Sequence, residues 1–240
     1  MIGTRTDRPG RALVALALGV LGAACLLALL ATGPERAGAA QAKLLGKTKN
    51  TPKPDCPKSP CQAVGSMTGF QSGASGSKRP YRVRKKGSIV AWSIDLSRPN
   101  QKQRKFFGNF YKTSEFGTAP TARLAILAQK GKGASYKLRK QTPVSDLTNA
   151  LGTTPIYTLK SPLSVREDNI VALTVPTWVS AFASDVSGSN TWRASRAKGK
   201  CQSDDDIKAG RPQTKVGGTR KYGCSYRGAR LLYWAYLDQS

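Results

Sequence analysis

The stretch Ile89–Leu96, with the sequence IVAWSIDL, decides the fold class of this 240-residue chain. Large apolar side chains recur at every second position from Val90 to Leu96, with small or polar side chains between them. Alternation with a period of two, in β-branched and aromatic residues, is typical of a β-strand with one buried face. Turn-forming residues bound the stretch, because Gly87-Ser88 precedes it and Arg98-Pro99-Asn100 follows it. We therefore predict a half-buried strand here.

Similar runs occur on both sides of this strand. They predict further strands over Ala63–Phe70, Ala122–Gln129, Tyr136–Lys140, Ile156–Lys160, Asn169–Val175, Thr191–Ala194 and Ala229–Leu237. Strands without a strong helical period between them, in a chain with 24 glycines and 14 prolines, favour an all-β fold, an antiparallel β-sandwich. A helix is predicted over Gln101–Tyr111, where Asn100 is the N-cap and Gly108 limits the helix to one or two turns.

The N-terminal residues predict export. Arg5, Arg8 and Arg11 precede an uncharged apolar stretch over residues 12–31, and Ala37-Gly38-Ala39 fits a signal-peptide cleavage site. The apolar stretch is also long enough to cross a bilayer as a helix. Residues 1–39 are therefore either a cleaved signal peptide or an N-terminal hydrophobic helix that anchors the protein. In both cases the rest of the chain is exported and lies outside the cell or on its surface.

The segment over residues 40–61 differs in composition from the rest of the chain. It is basic and rich in lysine and proline, and its few apolar residues bury too little surface to order it. We therefore predict a disordered linker over residues 40–61, followed by a β-sandwich domain over residues 62–240.

Four cysteines follow the export signal, namely Cys56, Cys61, Cys201 and Cys224. An even number in an exported chain predicts two disulfides, for which three connectivities exist. The short loop from Cys56 to Cys61 contains two prolines, which favours the local pairs Cys56–Cys61 and Cys201–Cys224. Zinc binding is the alternative, but the spacing between Cys201 and Cys224 does not fit a zinc motif.

Three segments together resemble a known kind of module. The run Gly87–Ser93, the run Arg123–Leu127, and Pro162–Val165 leading into Ile170–Leu173 resemble uncharacterised secreted jelly-roll-like β-sandwich modules of Gram-positive bacteria. In those modules a strand that carries a tryptophan packs against a strand that follows a V-x-x-G-D turn. Asp168-Asn169 stands here in place of Gly-Asp, and both residue types tolerate the left-handed backbone of such a turn. The resemblance covers about residues 62–237 and implies an extracellular module without implying its chemistry.

The composition argues against an enzyme. The chain has no histidine, which excludes Ser-His-Asp, Cys-His and histidine–metal mechanisms. Its acidic residues cluster at Glu167-Asp168, expected in a turn, and at Asp204-Asp205-Asp206. We predict a non-catalytic protein without cofactors. Asp204, Asp205 and Asp206 are a weak calcium candidate, because they are contiguous and not spaced as in a calcium-binding loop.

The charge gives the strongest functional signal. The net charge is +26, and from Ala40 onward 35 basic residues against 11 acidic ones leave +24. A surplus of this size attracts polyanions. The main basic runs are Lys78–Lys86, Lys102–Lys105, Tyr136–Lys140 and Arg193–Lys200. The residues predicted to bind a polyanion are Arg82, Arg84, Lys85, Lys86, Lys137, Arg139 and Lys140. On an extended chain Arg82, Arg84 and Lys86 share one face.

The leading hypothesis is a non-catalytic module of the cell envelope. Its partner is expected to be an anionic cell-wall polymer or a membrane surface, and no motif indicates sequence-specific nucleic-acid binding. The alternative is a carbohydrate-binding module in which Trp178 and Trp192, both expected to face a ligand, stack on sugars. A calcium-dependent or hydrolytic enzyme is a minor third alternative.

Overall fold

The structure, a computed structural model, describes residues 42–239 of the chain. In this range the protein is mostly β, and its strands are numbered β1 to β15 in chain order. The strands cover Lys43–Leu45, Val64–Ala74, Ser77–Lys78, Gly87–Ile94, Thr121–Lys130, Ser135–Gln141, Ser145–Asp146, Ile156–Val165, Ile170–Val179, Phe182–Ala183, Thr191–Ala194, Thr219–Lys221, Cys224–Arg227, Arg230–Leu231 and Tyr233–Asp238. The α-helices are α1, Gln101–Phe110, and α2, Asp204–Lys208, and a 3-10 turn covers Thr148–Ala150.

The predicted all-β class is confirmed, and each predicted strand overlaps an observed one. The run Ala229–Leu237 divides into β14 and β15 at Leu232. In β4 the buried face differs from the prediction, because the pairing of β4 with β8 shifts register between Ile89 and Ala91. Ile89 is therefore fully buried and Val90 is half-buried, while Trp92 lies in the core as expected.

Two antiparallel sheets form the body of the described residues. The smaller has the strand order β1-β15-β4-β8, and the larger has the order β12-β6-β5-β9-β2-β11-β13, with β3 on β2 and β7 on β5. The sheets pack face to face, which fits a sandwich. At their contact Tyr81 stacks on Tyr233, with ring centroids 4.3 Å apart, and the Tyr233 hydroxyl donates to the Val171 carbonyl at 3.0 Å.

The larger sheet curls until its two ends approach each other. Its end strands β12 and β13 are consecutive in the chain and only Tyr222 and Gly223 separate them. One extended segment thus pairs with β6 through its first half and with β11 through its second half. The curl gives this sheet a concave face, while its convex face packs on the smaller sheet.

The predicted disorder over residues 40–61 is wrong for the part that the structure describes. Lys43–Leu45 forms β1, an edge strand that pairs antiparallel with Leu237–Ala235 of β15, and Leu45 is buried. Further along, the Asp55 carboxylate accepts hydrogen bonds from the backbone N–H and the hydroxyl of Ser184, at 2.9 and 2.8 Å. Backbone pairing and polar contacts therefore order this segment in spite of its low apolar content.

Residues 1–39, with the predicted signal peptide or hydrophobic anchor, lie outside the described residues. Between residues 42 and 239, no helix has the length and apolar character required to cross a membrane.

Helix α1 begins as predicted but is longer. The Asn100 side chain accepts from the Gln103 backbone N–H at 2.9 Å, and the Gln103 side chain accepts from the Asn100 N–H at 2.7 Å. This reciprocal pair is a capping box. The helix runs through Gly108, so the expectation that Gly108 would end it after one or two turns is wrong. A Cβ at Gly108 would lie 2.9 Å from the Thr118 Cβ, and the glycine is needed for this close approach.

The two predicted disulfides, Cys56–Cys61 and Cys201–Cys224, are both present. The second joins the segment after β11 to the start of β13. Bonds of this kind persist in oxidising environments, which fits an extracellular setting.

Candidate polyanion-binding cleft

The register of the strands determines which side chains the concave face carries. Thr68 of β2 lies opposite Thr174 of β9, and Thr174 lies opposite Arg123 of β5, so the three side chains share a face. Phe70, two residues further along β2, lies opposite Arg193 of β11 and belongs to the same face. The concave face therefore combines aromatic, polar and cationic side chains.

The middle of the concave face is closed by packing. Phe70 and Tyr136 contact edge to face with centroids 5.1 Å apart, although β5 and β9 separate their strands in the sheet. Buried Gln213 fills the space beside them. Its backbone N–H donates to the Thr68 hydroxyl at 2.9 Å, and its side-chain oxygen accepts from the Tyr222 hydroxyl at 2.9 Å. A pocket lies at each end of the face.

At one end lies a pocket of about 530 Å³ that we name the cationic cleft. Phe70, Tyr136 and Ile170 contribute its apolar lining. Five cationic side chains from four parts of the chain also line it, namely Arg79, Arg82, Lys132, Arg193 and Arg227. None of the residues that line the cleft, all of which belong to the described range, is acidic. Charges that are scattered in the sequence are thus collected around one opening by the curl of the sheet.

A carboxylate at the rim of the cleft compensates one of the five cations. Asp168 forms an ion pair with Arg82 at the rim. Asp168 has a φ of +67°, which agrees with the expectation that the turn over Glu167-Asp168 tolerates the replacement of glycine by aspartate. The Arg82 charge is therefore partly compensated. Glu167 and Asp168 also line a small adjoining pocket together with Arg79 and Arg82, whereas no carboxylate is among the residues that line the cleft itself.

The charges inside the cleft act on its tyrosine. Burial raises the pKa of the Tyr136 hydroxyl, and Arg193 and Arg79 oppose this rise because they favour a negative charge nearby. The Arg193 guanidinium donates to the Tyr222 carbonyl at 3.4 Å. The positive field of Arg193 and Arg79 thus reaches the floor of the cleft, and an anionic ligand group would experience the same field.

The predicted site residues of the first basic run divide into two groups. Arg82 lines the cationic cleft, whereas Arg84, Lys85 and Lys86 are exposed beyond it. The chain bends at Arg84 and Lys85 and buries Val83, so the extended strand assumed for this run is absent. The prediction that Arg82, Arg84 and Lys86 share one face of a strand is therefore wrong. We call Arg84, Lys85 and Lys86 the basic bend.

The predicted residues of β6 lie outside the cleft. Tyr136 and Leu138 of this strand are buried, whereas Lys137 is half-buried opposite Thr219 of β12. Arg139 and Lys140 are exposed, next to the point at which the pairing of β5 with β6 shifts register. Lys137, Arg139 and Lys140 add to the positive field without lining the opening.

The sequence suggested that Trp178 is a loop residue that faces a ligand, and this prediction is wrong. It lies in β9 with 1% of its surface exposed, and its indole N–H donates to the Thr118 carbonyl at 2.9 Å. Pro176 caused the wrong expectation, since proline is rare inside strands. Here Pro176 occupies an irregularity of the ladder, between the pairs Met67–Val175 and Gly65–Trp178.

Trp192 is also buried, with 3% of its surface exposed. Its ring stacks on Tyr226 with centroids 4.4 Å apart and meets Phe182 edge to face. Because β-strand side chains alternate, Trp192 points away from the concave face that Arg193 occupies. A sugar ring has access to neither Trp178 nor Trp192, so the carbohydrate-binding alternative loses both of its candidate residues.

The three aspartates of the calcium candidate form the first turn of α2. Ser203 caps this helix, and Asp206 pairs with Lys200 at 3.2 Å. Hydrogen bonding to Ser203 and the nearby Lys200 ammonium hold the pKa of Asp206 below its usual value. No group of three potential metal ligands occurs among the residues that the structure describes. In the first turn of α2, the three carboxylates interact favourably with the positive end of the helix dipole.

Four residues of the cationic cleft were missing from the predicted site. Arg79 and Arg193 belong to basic runs noted in the sequence, and Lys132 and Arg227 do not. Arg193 could have been found from the sequence. Thr191–Ala194 alternates between polar and apolar residues, which predicts that Arg193 and Trp192 point to opposite faces of the strand. The assembly of all four depends on the curl of the sheet, which no local pattern encodes.

Comparison of the chain with protein-family models, with curated proteins and with solved structures finds no match. The resemblance to secreted jelly-roll-like modules therefore stays a prediction.

Proposed function

We propose that the protein is an exported, non-catalytic module of the cell envelope that binds an anionic polymer through the cationic cleft. One observation carries this proposal: five cationic side chains line one pocket that contains no carboxylate. Like charges that surround one opening repel each other, and a bound polyanion relieves this repulsion.

The shape of the cleft supports a polymer ligand. Its volume of about 530 Å³ is enough for a few repeating units of a chain, and it opens directly to solvent. Arg79, Lys132 and Arg227 are exposed and free to follow successive negative groups, whereas Arg193 is half-buried at the wall. The basic bend and the β6 cations extend the positive field and would raise the rate of encounter.

Retention of the purified protein on phosphocellulose, eluted with a salt gradient, tests the proposal. The triple variant Arg79→Gln/Lys132→Gln/Arg227→Gln, named the cleft variant, should elute at a clearly lower salt concentration than the wild type. The triple variant Arg84→Gln/Lys85→Gln/Lys86→Gln, named the bend variant, removes the same charge and should elute close to the wild type. All six positions are exposed, so both variants should fold.

Two outcomes would redirect the assignment. Salt-insensitive binding to neutral cellulose would favour the carbohydrate-binding alternative. Retention of both variants at the wild-type salt concentration would show that the cationic cleft is not the contact. Binding to anionic lipid vesicles, tested in parallel, separates a membrane surface from a wall polymer.

A further inference from the structure

The opposite end of the concave face holds a second pocket, with a volume of about 870 Å³. The two ends are far apart, since Arg123 and Gln129 of β5 mark them and six residues of a strand span about 20 Å. We name this space the second pocket. Its lining combines Arg123, Gln141, Arg220 and Lys112 with the aromatic rings of Phe110 and Phe116.

Arg123 has an unusual environment in this pocket. The residue is half-buried in the middle of the β-sheet, and its Nε has no hydrogen-bond partner among residues 42–239. Burial lowers the pKa of the guanidinium, and Glu115 opposes this effect from a distance greater than that of an ion pair. A buried donor without a partner costs free energy, so the Arg123 Nε requires a hydrogen-bond acceptor.

Gln141 has a buried acceptor that lacks a donor. Its side-chain amide donates to the Thr214 carbonyl at 2.9 Å, whereas its Oε1 is buried and has no partner among the described residues. Since this oxygen can only accept, it requires a donor such as a hydroxyl group. Arg123 and Gln141 line the same pocket, so one ligand can satisfy both.

A neighbouring arginine contributes charge without competing for Gln141. The Arg220 Nη1 donates to the carbonyl oxygens of Arg211 and Pro212, which fixes the guanidinium at the pocket wall. The positive charges around the pocket exceed the single negative charge of Glu115 in its lining. This balance favours an anionic ligand group.

We propose that the second pocket binds the phosphate of a phosphorylated polyol, with the phosphate on Arg123 and a neighbouring hydroxyl donating to the Gln141 Oε1. A phosphate oxygen is the strong acceptor that a guanidinium recognises best. The adjacent hydroxyl distinguishes this ligand from inorganic phosphate. The proposal concerns a separate site and does not depend on the cationic cleft.

Calorimetric titration of the cleft variant with glycerol 3-phosphate, inorganic phosphate and glycerol tests the proposal, because the cationic cleft has lost three of its five cations in this background. Glycerol 3-phosphate should bind more tightly than inorganic phosphate, and glycerol should not bind. Adding Arg123→Gln should weaken glycerol 3-phosphate binding by about tenfold or more, as expected for the loss of charged hydrogen bonds. Adding Gln141→Leu should weaken glycerol 3-phosphate binding by about fivefold and leave inorganic phosphate binding unchanged.

The control substitution Arg139→Gln removes an equal charge from an exposed position and should change nothing. If Arg123→Gln fails to fold, Arg123→Lys keeps the charge, loses the planar fork, and should still weaken binding severalfold. Equal affinity of the Arg123 and Arg139 variants for glycerol 3-phosphate would overturn the proposal, as would tighter binding of inorganic phosphate. Competition by phosphatidylglycerol vesicles would identify a lipid headgroup as the source, and its absence would identify a soluble phosphate.

Discussion

At the scale of single residues, the guanidinium of Arg230 shows how this basic chain accommodates charge inside its core. Arg230 is 1% exposed. It donates to the Thr48 hydroxyl at 2.7 Å, the Asn50 carbonyl at 3.0 Å and the Gly46 carbonyl at 3.1 Å. Neutral acceptors thus replace the carboxylate that normally pairs with a buried arginine. These three acceptors lie between residues 46 and 50, and a fourth, the Ser75 hydroxyl at 3.4 Å, lies on the body of the protein, so Arg230 holds this segment in place.

Arg230→Met keeps most of the side-chain volume and removes every donor. We expect a loss of about 2 kcal/mol in the free energy of unfolding, because buried acceptors are left unpaired. Limited proteolysis should also cut faster between residues 46 and 50. Urea denaturation measures the first effect, and the exposed Arg139→Met is the matched control. Equal stability of the two variants would show that Arg230 does not hold the segment.

Buried tyrosines predict how stability depends on alkaline pH. Burial raises the pKa values of Tyr81, Tyr222 and Tyr233 far above 10 and that of Tyr111 to about 12. Because the pKa values are raised in the folded state, the neutral tyrosine hydroxyls stabilise the folded protein fully below the unfolded pKa of about 10. It is then lost as the pH rises toward the folded pKa values.

The free energy of unfolding should therefore fall between about pH 10 and about pH 12. Tyrosinate absorbance should show fewer ionised tyrosines in the native protein than in urea at the same pH. Identical native and denatured titration curves would contradict the burial of these four hydroxyls.

At the scale of elements, Gly108 in α1 gives a prediction whose sign depends on packing. Replacing a glycine inside an exposed helix with alanine normally stabilises the helix by about 1 kcal/mol. Here the new Cβ would lie 2.9 Å from the Thr118 Cβ and 3.0 Å from its backbone oxygen. Gly108→Ala should therefore lower the free energy of unfolding. Asn109→Ala, at an exposed position of the same helix, should leave it unchanged or raise it slightly. A stabilising Gly108→Ala would contradict the close contact between α1 and Thr118.

The positions of the strands could be predicted from the sequence because period-two alternation is a local property. It located Thr191–Ala194 to the residue, and it placed Trp92 correctly in the core. It failed where a ladder irregularity reverses the alternation, as at Val90, and where Pro176 suggested a loop inside β9. It also missed β1, since Lys43–Leu45 is too short and too basic to be recognised, and pairing with β15 defines it.

The candidate site was less predictable than the fold. The basic runs drew attention to Arg82, but Arg79, Arg193, Arg227 and Lys132 meet only because the larger sheet curls and brings its end strand β13 near β6, toward the other end of the sheet. The aromatic candidates were misassigned for local reasons, Trp178 because Pro176 suggested a loop. Trp192 lies beside Arg193 in the chain, yet it points to the opposite face and is buried under Tyr226.

At the scale of the whole molecule, the net charge of +24 from Ala40 onward has two components in this account. Most cations, such as those of the basic bend, are spread over the surface and supply a long-range field that salt screens beyond about 10 Å. The cations of the cationic cleft act at contact distance. Because contact charges displace bound counterions, they determine how steeply binding weakens as salt rises.

The salt dependence of the binding constant for a short polyphosphate, measured for the wild type, the cleft variant and the bend variant, tests this account most directly. Each lost contact should lower the slope of log K against log salt by about one, so the cleft variant should lose about three. The bend variant should retain nearly the wild-type slope. Equal slopes in the two variants would show that the protein binds polyanions by its total charge, and would contradict a binding site in the cationic cleft.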